Sequence, residues 1–149
     1  MHRVALVLIV ALPLAAADLV WKHIATTPQW AYHARGPGWL ALSIGLVAGA
    51  LFASRLRSVV SVIAAGVMAG GVLGNALSAS WNGLRVPDPI IVMPGQRAVI
   101  AFNLADIFTT IGILSLTAAL AGVVLRNRHL LPTYADARTS LRRRTRPPR

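Results

Sequence analysis

Long apolar runs that charged residues scarcely interrupt constrain this sequence more than any other feature. A bilayer-crossing helix needs about 20 mainly apolar residues. Four stretches meet or approach that length, at 4–20, 39–53, 59–77 and 98–125. Charged residues are 13% of the 149, against about 25% in soluble domains, so the chain lacks the means to cover a water-facing surface. The expected fold is all-α: a polytopic membrane protein with four transmembrane helices. The run at 39–53 is short, and either it extends back through Pro37-Gly38 or tilt and snorkelling absorb the mismatch.

The charges set an orientation. Lys and Arg number fifteen against four acids. Arg3, Arg55, Arg57 and the eight arginines from Arg126 to Arg149 flank one side of the spans. Only Lys22, Arg35, Arg85 and Arg97 flank the other. The positive-inside rule then places both termini in the cytoplasm. Ser54-Arg55-Leu56-Arg57-Ser58 becomes a tight cytoplasmic hairpin, and the two longer connections, with Trp21, Trp30, Trp39 and Trp81, lie outside. A second reading of the first run stands beside this one. His2-Arg3, an apolar stretch and Ala15-Ala16-Ala17 have the layout of a cleavable secretory signal. Against cleavage, the apolar stretch continues to Val20 and Trp21, and removal would leave three spans. Gly45 and Gly49, and Gly66, Gly70 and Gly74, recur every four residues, a spacing that predicts close helix packing. Residues 1–131 read as the transmembrane domain and 132–149 as a basic, disordered cytoplasmic tail. The tail's arginine run is a topological anchor first, with anionic lipid as its natural contact, and no nucleic-acid partner is expected.

The absence of Cys removes disulfides, thiolate metal sites and cysteine nucleophiles. The acids are Asp18, Asp88, Asp106 and Asp136, with no Glu, which excludes a His-Glu zinc-protease helix. An ionised Asp at the centre of a membrane helix costs about 2.5–3.5 kcal/mol, so acids in or beside spans demand a use. Span order puts Asp18, Asn75, Asp88 and Asp106 at one level, the outer edge of the apolar core. Counting from residue 98, Asp106 is expected roughly 8–12 Å into the fourth helix. Asp18 and Lys22, four apart, suit a structural pair, and Asp88 within Val86-Pro87-Asp88-Pro89 suits a turn. Asp106, with Asn103 three residues before it on the same face, is the strongest candidate for function. Two neighbouring carboxyl groups share a proton, because both cannot ionise cheaply. The ionised one takes a proton from water and the neutral one donates to a carbonyl, which is peptide hydrolysis without a covalent intermediate. A Ser-Lys dyad would have to join Lys22 to Ser78 or Ser80. No pair among His2, His23, His33 and His129 has metal-ligand spacing on a helix.

Three patches resemble the lipoprotein signal peptidase family (signal peptidase II, the aspartic prolipoprotein peptidases). They are Gly70-Gly71-Val72-Leu73-Gly74-Asn75, then Asp88 about a dozen residues on, then Phe102-Asn103-Leu104-Ala105-Asp106. Asp18 with Lys22 matches the Asp and Lys that end the family's first helix. The resemblance implies that Asp88 and Asp106 are the catalytic pair. It implies that Asn75 and Asn103 are supporting polar residues, and that Asp18 and Lys22 brace the first helix or contact substrate. It implies cleavage of diacylglyceryl-modified prolipoproteins just before the lipidated cysteine, by a multi-pass monomer of the bacterial cytoplasmic membrane that uses no metal or organic cofactor. The sequence departs from the family in three places. Ser78-Ala79 stands where the family has Asp-Arg, Asp88-Pro89 stands where it has Asp-Phe, with one extra residue before it, and the first outer loop is short and lacks an Asn-x-Gly-x-Ala-Phe stretch. These departures define a divergent member and motivate a rival, a catalytically impaired paralogue that binds lipoprotein precursors or a membrane partner. A second rival is a small ion- or proton-coupled membrane subunit.

Overall fold

A computed structural model of the chain describes residues 3–95 and 98–128. The basic tail, with Asp136 and all six of its arginines, lies outside the described residues, as does Arg97. The molecule is mostly helical. Helix α1 is Arg3–Ile24, α2 Pro37–Ala53, α3 Val59–Trp81 and α4 Leu104–Arg126. Three of them, α1, α3 and α4, are long and apolar enough to cross a membrane, and α2 is a shorter apolar helix of 17 residues.

Helix α3 is the centre of the bundle. Its small residues allow two partners to approach on two faces. On one face, a Cβ at Gly66 would meet Val10 Cβ at 2.8 Å, and one at Gly70 would meet Ala11 O at 2.8 Å. The stripe Val7, Ala11, Ala15 and Asp18 of α1 is buried against this face. On the other face, Gly71 abuts Ala105 and Thr109 of α4, and Gly112 of α4 abuts the Met68 backbone. The Gly66/Gly70/Gly74 stripe therefore packs helices as its spacing predicts. Gly45 and Gly49 differ, since nothing lies within 4 Å of a Cβ built on either. Large apolar side chains point outward instead of inward: Leu12, Ile44, Phe52, Leu114 and Leu125 are all more than half exposed. That inverted distribution suits a lipid surround, where a surface of Leu and Ile costs nothing.

The outer connections are not simple loops. Strand β1 (Tyr32–Ala34) pairs antiparallel with β2 (Arg85–Pro87), with His33 opposite Val86. Strand β3 (Ile90–Gly95) pairs antiparallel with β4 (Ala98–Phe102). This corrects two expectations. The fold adds two small sheets to its helices, and the fourth helix begins at Leu104 instead of 98. The apolar run at 98–102 is a strand, because Asn103 takes an extended conformation (φ −132°, ψ 175°) and caps the helix that follows. Helix α3 ends as sharply: Gly83 turns left-handed (φ +61°) and Leu84 N–H donates to Ala79 O at 2.9 Å. That Schellman-type closure turns the chain back into β2 and brings Asp88 over the helix ends.

Candidate active site

The site is assembled where α1, α3 and α4 meet the strands. Asp18 lies at the top of the buried stripe of α1 and is fully buried. One carboxylate oxygen accepts from Lys22 Nζ at 2.6 Å, and the other accepts from Ala105 N–H at 2.8 Å. Asp18 is thus neutralised twice, by an ammonium one turn along its own helix and by the positive N-terminal end of α4. A Cβ at Gly74 would sit 2.7 Å from Asp18 Oδ2, so only glycine leaves room for the carboxylate there. Lys22 also donates to Asn75 Oδ1 at 2.7 Å. Neither of its partners is a serine hydroxyl, and the Ser78 hydroxyl accepts from Asn82 instead.

Asn75 passes the polarity on. With its Oδ1 facing an ammonium, its Nδ2 must face an acceptor, and it donates to Asp106 Oδ1 at 2.9 Å. Asp106 is in the first turn of α4, closer to the helix start than the sequence estimate placed it, because the helix begins at Leu104. Its Oδ2 accepts from Asn103 N–H at 3.1 Å, while Asn103 Oδ1 accepts from Asp106 N–H at 3.0 Å. This reciprocal capping box locks the Asp106 rotamer and orients the Asn103 amide. Asn103 Nδ2 then reaches Asp88 Oδ1, and Asp88 N–H donates to Ala31 O at 3.0 Å. Asp88 is 2% exposed. Burial is the main cause that raises its pKa above the ordinary carboxylate value, and the Asp106 charge adds to it. A hydrogen bond from His33 and the one from Asn103 oppose the rise.

Asp18, Lys22, Asn75, Asp106, Asn103 and Asp88 therefore form one continuous chain of hydrogen bonds. The sequence reading named all six. It gave His33 no role, yet His33 Nδ1 contacts Asp88 Oδ2 at the far end of the chain. A lone histidine in a short loop carries no spacing signal, and only the pairing of β1 with β2 places it. The two acids suited to proton chemistry are joined through a single residue, Asn103, by its backbone on one side and its side chain on the other. Among the described residues, no cluster of three His or Asp side chains could hold a metal ion. A cavity of about 700 Å³ lies at the opposite end of the bundle beside Arg3 and Arg55. It contains none of these groups and is not the site.

Fold and site define a multi-pass helical membrane protein with a buried acid cluster at one end of its bundle. The family model described as "Signal peptidase (SPase) II" matches residues 26–121. The chain belongs to that family of membrane proteases, which process lipoproteins. Two solved structures share the fold. One is a bacterial membrane enzyme determined by the in meso method at 2.3 Å resolution, at 18% identity and TM-score 0.61, covering 82% of this chain and 88% of its own. The other is a bacterial membrane enzyme determined by the same method at 1.9 Å, at 20% identity and TM-score 0.63, covering 80% of this chain and 97% of its own. No curated protein sequence matches.

Proposed function

We propose that the protein is an active aspartic endopeptidase that cleaves diacylglyceryl-modified prolipoproteins just before the lipidated cysteine. The observation that carries this reading is the suspension of Asp88 and Asp106 from one capping residue, Asn103. A carboxyl pair held this way keeps one proton between two acids. The ionised member accepts a proton from the attacking water. The protonated member donates its proton to the scissile carbonyl oxygen; as the C–N bond breaks, the first acid passes the proton it took from water to the departing amine, and the second recovers its own as the carbonyl re-forms. Asn75 holds Asp106 from the α3 side. Asp18 and Lys22 hold α1 against α3 and α4 and carry no step of the reaction.

The reading extends to topology. Residues 1–131 form the peptidase domain of a monomer, with 132–149 as its basic tail. All four helices span the bacterial cytoplasmic membrane, both termini face the cytoplasm, and the acids face outward. At 1.5 Å per residue, the 17 residues of α2 cover about 26 Å, within reach of a locally thinned bilayer. Helix α1 is retained, since it supplies Asp18 and Lys22 to the cluster. The lipid tails of the substrate lie in the same bilayer and bring its peptide bond to the level of the acids.

Purified protein is incubated with a diacylglyceryl-modified precursor, alongside Asp88→Asn and Asp106→Asn. Cleavage before the cysteine that disappears in both variants is the expected result. Binding without cleavage would make the chain a catalytically impaired paralogue. Ion flux across vesicles without either would favour the coupled-subunit reading. The confinement of the buried acids among the described residues to one end of the bundle argues against flux.

A further inference from the structure

His33 stands on β1, outside the helical part of the site, and its contact with Asp88 is not needed to hold β1 to β2. The strand pairing does that through the backbone, with His33 opposite Val86. The imidazole is about half exposed, at 51%, whereas the Asp88 side chain it touches is 2% exposed. Asn103 occupies Asp88 Oδ1 from the buried side, and His33 occupies Oδ2 from the open side. A carboxylate facing Nδ1 favours the tautomer with the proton on Nδ1, so the imidazole donates to Asp88 and leaves Nε2 to water.

We propose that His33 is a positioning residue for Asp88, fixing the carboxylate oxygen that Asn103 does not hold and linking that buried oxygen to the outer water. The inference rests on the reading of Asp88 as a catalytic acid. The groups that face Asp88 are His33 from β1, and Asn103 and Asp106 from the start of α4, while the Lys22 ammonium of α1 acts on it through space. Around His33 the neighbouring charges are Arg35 and Arg85. Arg85 is turned away, over the Tyr32 ring and onto Tyr32 O, and Arg35 lies over Trp39. The donor from His33 opposes the proton uptake that burial favours in Asp88. Without it, Asp88 stays protonated to higher pH and its carboxyl is free to rotate.

The chain's acids are four in number, all Asp, so the side-chain carboxyls of the full-length protein can be followed individually. The protein is labelled with carboxyl-¹³C aspartate in detergent micelles and titrated by NMR, with Asp88→Asn assigning the Asp88 signal. In His33→Ala the Asp88 titration moves to higher pH. The kcat for a lipid-modified precursor falls about tenfold or more, the size expected for loss of a charge-assisted hydrogen bond. The alkaline limb of the pH profile moves up and KM is unchanged. His33→Asn, whose amide carries a donor at a similar reach, restores both titration and kcat. An Asp88 titration unmoved in His33→Ala overturns the inference. So does failure of His33→Asn to restore it at unchanged melting temperature. Wild-type protein that cleaves nothing, while the Asp88 signal still moves in His33→Ala, overturns the peptidase reading and leaves the positioning of Asp88 supported.

Discussion

Asp18 and Asp88 are equally buried but are held by different kinds of structure. Asp18 belongs to the helical wall. It sits on a packed stripe, with its lysine one turn along and the start of α4 above it. Asp88 belongs to a strand-built flap, fixed by a backbone bond to Ala31, a side-chain amide and an exposed imidazole. The wall holds its acid paired with a lysine and a backbone N–H, which suits support. The flap holds its acid buried, with an imidazole and an amide as its side-chain contacts, which suits proton exchange. On the proposed reading, the same residue type braces the bundle in one place and does chemistry in the other.

The largest effects break this contrast directly. Asp88→Asn is expected to lower kcat by about a hundredfold to ten-thousandfold while thermal melting in detergent stays near that of the wild type. Asp18→Ala is expected to do the reverse. It leaves Lys22 buried without its partner and strips the acceptor from Ala105 N–H, a loss of about 3–5 kcal/mol, read as a large drop in melting temperature. If Asp88→Asn melts early and Asp18→Ala does not, the division between flap and wall is inverted. Gly74→Ala comes next. Its Cβ would meet Asp18 Oδ2 at 2.7 Å, so an overpacking cost of about 1–3 kcal/mol is expected, with activity falling in step with melting. The smallest effect is in pH. Burial raises the Asp88 pKa, so the stability tied to its proton is complete below the ordinary carboxylate value and is lost as pH rises through the raised one. Initial rates across pH should fall on the same alkaline limb, and Asp18→Asn should leave the position of that limb unchanged.

The same contrast marks what was legible in the sequence. The wall is written in periodicity. Apolar runs give the helices, four-residue spacing gives the Asp18–Lys22 pair, and the glycine stripe gives the α1–α3 contact. The level shared by Asp18, Asn75 and Asp106 follows from span order alone. The flap depends on pairings between segments far apart in the chain, and no local pattern records them. Residues 98–102 are as apolar as the helix after them, so their strand merges into the run, and only Asn103 marks the break. Gly45 and Gly49 carry the same spacing as the α3 stripe yet meet no helix, because periodicity says which residues share a face and not what that face meets.

The bond from Asp18 to Ala105 N–H joins residues 87 apart. During synthesis the first helix is made long before the fourth, so the α1 carboxylate must wait for its last partner. Until α4 arrives, Asp18 has only Lys22, while Asn75 lacks Asp106 to receive its amide protons. The acid cluster therefore closes in the final step of assembly and closes around a group delivered by the last helix. A chain cut short within the β3–β4 hairpin would keep three helices and lose both Asp106 and the residue that bridges it to Asp88. Such a fragment holds an unsatisfied carboxylate and amide at the membrane surface.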